Sequence, residues 1–208
     1  MNPLKSIAGT IIGGIVLAII LLLVTMGDHM VAVGKAMPAN AVIIWLHVLA
    51  GITWIGLLYY FNFVQVPALA DAASDDGGPG GAGITKYVAP RALLWFRWTA
   101  LVTWLTGAAF LLHLGELDDA FALGMLADSP RPPYDLTIGI GAWLGTIMLF
   151  NVWGLIWPNQ KKILGMVEAS ADEIAKARKV AFTASRLNTL MSVPLVMSMV
   201  GAGHGFFM

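Results

Sequence analysis

The chain has 208 residues, 58% of them hydrophobic and only 12% charged, with a mean hydropathy of +0.78. A soluble domain runs nearer a quarter charged, and one of this size has no means of hiding so much apolar surface from water. Basic and acidic residues balance at 12 each with no basic block, which excludes a nucleic-acid surface, and the absence of cysteine excludes disulfides, a thiol nucleophile, iron–sulfur ligation and c-type haem attachment.

Five apolar stretches are long enough for a bilayer, which takes about 20 residues. They run Ser6–Met26, Ala41–Val66, Ala92–Leu114, Leu136–Trp157 and Leu187–Phe207. The expected fold is therefore an all-α, single-domain integral membrane bundle of five transmembrane helices. The first stretch is too long for a signal peptide and has no convincing cleavage site, so it reads as an uncleaved span. Pro67–Pro90 carries Asp75-Asp76-Gly-Gly-Pro-Gly-Gly, a linker-like run without the lysine of a phosphate loop. Pro158–Arg186 reads as a cytoplasmic amphipathic helix between spans four and five, with Ile163, Val167, Ile174 and Val180 set among charges. With the N-terminus cytoplasmic, ten basic residues fall on the inner side and two, Lys35 and Arg131, on the outer. The expected location is a bacterial inner membrane.

That orientation places His47, His113 and His204, from the second, third and fifth spans, at one depth in the outer half of the bilayer. An ionisable side chain inside a span is costly unless it faces the bundle interior and has a partner. Imidazole is also the commonest protein ligand for haem iron and transition metals. Gly51 and Trp54 share a face with His47, and the stripe continues through Leu58, Asn62 and Gln65. His204 lies in the open Gly201-Ala-Gly-His-Gly run, whereas His29 reads as a solvated loop residue. The residues leave three readings open: a haem b site, a copper or zinc site of three histidines, or a cofactor-free accessory subunit. Gly139, Gly141 and Gly145 suit close helix packing, Asn151 and Asn188 suit bridges between helices, and most of the eight tryptophans fall near span ends as an interfacial belt would.

The stretch Trp45-Leu-His-Val-Leu-Ala-Gly-Ile-Thr-Trp-Ile-Gly-Leu-Leu-Tyr-Tyr-Phe-Asn-Phe resembles the signature span of the membrane-bound urate hydroxylase family, with its urate-oxidase N-terminal-type membrane domain. Ser185-Arg-Leu-Asn-Thr-Leu-Met-Ser-Val-Pro, continuing to His204, is similar to that family's closing helix. The looser pattern His47…Trp54…Gly56 is similar to other haem b membrane proteins, including membrane protoporphyrinogen oxidases. Longer members end in a cytochrome c domain, for which this chain lacks the cysteines, so it reads as a short form. The resemblance implies haem b held by His47 and His204, with His113 as substitute or third ligand. It also implies electron transfer within the membrane, with other membrane subunits, a cytochrome c or a quinone as redox partner.

Overall fold

The apolar runs are helical throughout, and no strand occurs among the described residues, which are 3–33, 39–129 and 131–205 of the computed structural model. α1 is Ile7–Val33, apolar on every side, in a unit that extends to Val42; the second unit begins at Ile43. His29, expected in a loop, lies on the helical backbone of α1, and its side chain is outside the described residues.

α2 is Ala39–Ser74, in the second unit from Ile43 on; also in that unit, α3 is Ala89–Leu114, the short α4 is Leu117–Phe121, α5 is Pro132–Ile163 and α6 is Ala171–His204. Four of the described helices, α1, α2, α5 and α6, are long and apolar enough to cross a membrane. The third expected span is α3. It has the length, 26 residues, but Arg91, Arg97, three threonines and His113 make it less apolar than the rest.

Two expected span ends fall short of the observed helices for a shared reason. The readings stopped at Val66 and Trp157, immediately before Pro67 and Pro158. Proline lacks an N–H, and its ring crowds the carbonyl four residues back, so it normally ends or kinks a helix. Here the chain widens into a turn of π-helix over Tyr60–Gln65 and again over Asn151–Ile156, then continues as α-helix through the proline. A third π turn, Ile84–Val88, precedes Pro90 at the start of α3.

The amphipathic helix expected over Pro158–Arg186 is instead divided. α5 ends at Ile163, the chain turns through Gly165 at φ +69°, and α6 begins afresh at Ala171 and runs unbroken into the fifth span. The restart has a local cause: the Ser170 hydroxyl accepts from the Glu173 N–H, and the Glu173 carboxylate accepts from the Ser170 N–H. Those bonds, Ser170's backbone N–H first and the Lys162 ammonium next, hold the Glu173 carboxyl below its ordinary pKa. A carboxyl with a lowered folded-state pKa adds stability above its unfolded value, which is lost as pH falls through the folded one. Glu173→Gln, which removes the titrating carboxylate, is therefore expected to lower the thermal midpoint at neutral pH and to lose part of that deficit near pH 3. Circular-dichroism melts at the two pH values test this.

Trp54, Leu58, Phe96, Met148 and Val152 form the centre of the second unit. Polar clamps tie its helices together. Asn151 Nδ2 donates to Asn188 Oδ1 at 2.7 Å, and Asn188 Nδ2 donates to the Met148 carbonyl at 3.0 Å, as the bridging expectation required. Asn188→Ala strands Asn151 Nδ2, while the Met148 oxygen keeps the Asn151 backbone N–H. A loss of roughly 1–3 kcal/mol for the group left unpaired is expected, read as a fall in thermal midpoint. Three tryptophans bridge helices, Trp104 from mid-helix: Trp104 Nε1 donates to Thr146 Oγ1 (2.8 Å), Trp143 to the Phe121 carbonyl (3.0 Å) and Trp153 to the Arg97 carbonyl (3.1 Å).

Candidate functional site

α2, α3, α5 and α6 line a partly open cavity of about 510 Å³, and its walls are overwhelmingly apolar. That volume falls within the roughly 300–1,000 Å³ of small-molecule and cofactor sites. His47 from α2 and His204 from the last turn of α6 both line it.

The bonds of the two imidazoles decide what they present. His47 Nδ1 lies 2.8 Å from the Thr103 carbonyl, and His204 Nδ1 lies 2.9 Å from the Val200 carbonyl. A carbonyl only accepts, so each Nδ1 carries the proton and each Nε2 keeps its lone pair. A backbone carbonyl holding one ring nitrogen, with the other left basic, is the arrangement that metal-ligating histidines use.

The local sequence accounts for how His47 comes to lie there. Its ring packs against Gly107 of α3. A Cβ on Gly107 would fall 2.9 Å from His47 Cε1 and 3.1 Å from Nδ1, so only glycine admits the imidazole at this depth. Gly51, expected to open space beside His47, instead faces Thr103, where a Cβ would meet Cγ2 at an ordinary 3.7 Å, and it does not line the cavity. Trp54 does line it. The indole is buried and its Nε1 has no hydrogen-bond partner, an unsatisfied donor at the cavity wall.

His113, in the last turn of α3, is exposed as His204 is, but it contributes nothing to the cavity lining. Among the described residues, no three His, Cys, Asp or Glu side chains gather closely enough to hold a metal ion. Arg97 stacks on Trp157 with its guanidinium carbon 3.9 Å from the ring centre, and Arg186 lies over Phe182; neither lines the cavity. Near one end of the site, Arg131 donates to Glu116, a bond that raises the guanidinium's already high pKa, while Tyr134 and Phe121 complete the wall. Tyr134, Phe121, Gly107 and the carbonyl of Thr103 were not singled out in the sequence. They come from other helices, and no periodicity within α2 points to them.

The lining fits a flat porphyrin carrying a metal: apolar walls, two imidazoles with free Nε2 lone pairs, one unsatisfied indole N–H and the Tyr134 hydroxyl for a polar edge. Long apolar helices around a cavity with a histidine pair define a helical bundle with a built ligand site. The chain belongs to the urate oxidase N-terminal family, whose model matches residues 36–116 and 132–208. The match takes in the four long helices of the second unit and both cavity histidines; the unmatched residues between the two segments hold α4. No curated protein and no solved structure matches the chain.

Proposed function

We propose that the chain is a haem b-binding membrane subunit, with five spans and a cytoplasmic N-terminus, that passes electrons between a membrane partner and the outer compartment of a bacterial inner membrane. In this reading His47 and His204 would hold the iron, and Trp54 and Tyr134 would offer an N–H and a hydroxyl to polar groups of the macrocycle. Haem iron with two imidazole ligands supplies one-electron chemistry without an open coordination position. The protein's own part is to fix the two ring tautomers through Thr103 and Val200 and to surround the group with mostly apolar walls. Family membership agrees with the reading, as does the excess of basic residues on the inner side.

The observation that carries it is the pair of histidines on one apolar cavity, each with Nδ1 engaged by a backbone carbonyl and Nε2 free. The test is a pyridine haemochrome assay and a reduced-minus-oxidised spectrum on the purified full chain. A b-type signal near one haem per chain supports the reading. A protein free of porphyrin, expressed with haem in supply, overturns it in favour of a cofactor-free accessory subunit.

A further inference from the structure

A second cavity, of about 530 Å³, lies in the same unit and shares no lining residue with the first. All three π-helical turns border it: Asn62 and Gln65 from the first, Thr85 from the second and Ile156 from the third. π turns cluster at functional sites because they re-aim side chains that a regular helix would carry past a ligand. Gln65 is 8% exposed, and its Oε1 has no hydrogen-bond partner. A buried amide oxygen without a donor is costly unless something absent from the chain satisfies it. Asn62, by contrast, is engaged, donating to Ser185 Oγ at 2.8 Å and to the Leu58 carbonyl at 2.9 Å.

We propose that this cavity binds the ring of a membrane-soluble para-quinone and its quinol. The walls supply aromatic edges: Phe61 and Phe96 meet at 82° with centroids 5.4 Å apart, and Phe182 lines the same space. A quinone oxygen accepts a hydrogen bond and the quinol oxygen donates one. The Gln65 amide carries both an acceptor and a donor group, so one side chain serves both redox forms. Gln160 and Arg178 add donors for the opposite ring oxygen, and Arg178 has no carboxylate within ion-pairing distance among the described residues. Apolar Leu69, Leu93 and Ile163 leave room for a hydrocarbon tail. The inference stands apart from the haem reading, since the two cavities have different walls.

The test is a calorimetric titration of the purified full chain in detergent with a short-chain alkyl benzoquinone. Saturable binding at one per chain is expected. Gln65→Leu should weaken it about tenfold, the scale of one hydrogen bond, without lowering the thermal midpoint, because it removes an unsatisfied polar group. Ala73→Trp, at an exposed position of the lining, should obstruct the cavity mouth while leaving the fold intact. Quinone binding is expected whether or not the purified chain carries porphyrin, which separates failure of this inference from failure of the haem assignment. Absence of saturable binding overturns the proposal, as does equal affinity in Gln65→Leu. So does displacement by anionic phospholipid that depends on Arg178 and not on Gln65, since that marks a lipid-headgroup site.

Discussion

Alanine at His47 is expected to reduce the haem content of the purified chain by at least tenfold, and alanine at His204 to do the same, whereas His113→Ala leaves it unchanged. The contrast follows from placement: the first two line one cavity and the third does not, although His204 is exposed as His113 is. Loss of histidine removes a proposed iron ligand; the Val200 carbonyl loses its side-chain donor, while the Thr103 carbonyl keeps the Thr106 hydroxyl. Gly107→Val tests the same site without touching a ligand. Its Cβ would sit 2.9 Å from His47 Cε1, so the imidazole must swing away and give up the Thr103 bond. Disturbing a partner that orients a metal-ligating histidine typically costs about 10–100-fold in affinity. Haem-to-protein ratio by pyridine haemochrome reads all four variants, and circular dichroism establishes that each is folded. Equal haem loadings in His47→Ala and His113→Ala would defeat the assignment.

The difference between His47 and His113 also marks how far the sequence could be read. Basic residues and span order set depth, and depth grouped three histidines. Facing direction is a separate coordinate. At 3.6 residues per turn, His113 lies roughly 240° around α3 from Gly107, the residue that faces His47. A single-helix reading identifies neighbours along one face, so it found Trp54 but chose Gly51, while the glycine that matters lies across the interface at Gly107. The helices themselves were legible from hydropathy, and the Asn151–Asn188 bridge from the cost of isolated amides. The α6 start was also written in the chain, as Ser170 followed three residues later by Glu173, although the charges around it favoured an amphipathic helix reading. The π turns were not legible. Proline announces a break, and only packing decides whether the helix stops or widens. The polar end of the His47 stripe, Asn62 and Gln65, was visible, but its meaning depended on Thr85 and Arg178, which are distant in sequence.

Alanine at Gly139 is expected to destabilise the fold by about 1–3 kcal/mol, the usual range for overpacking a close contact, although it adds a single methyl group. A Cβ there would collide with the Ala120 carbonyl oxygen and fall 3.0 Å from Leu123 Cδ2. The obstacle is backbone, which does not rotate out of the way as a side chain does. α4 has little freedom to retreat: Leu123 just beyond it is held at φ +57°, unfavourable for a branched residue, and Gly124 at φ +67° has its α-carbon packed toward the Pro132 backbone. The Phe121 carbonyl also accepts from Trp143 Nε1, so lifting α4 off α5 breaks that bond. Phe121 lines the histidine cavity, which means that the same substitution should lower haem occupancy. Gly56→Ala is the control, because a Cβ there meets nothing within 4 Å, and alanine favours a helix over glycine by about 1 kcal/mol. Thermal melts should therefore show opposite or unequal shifts, Gly139→Ala downward and Gly56→Ala level or upward. If the two glycines respond alike, α4 is not seated on α5 as described, and the wall that Phe121 contributes to the cavity falls with it.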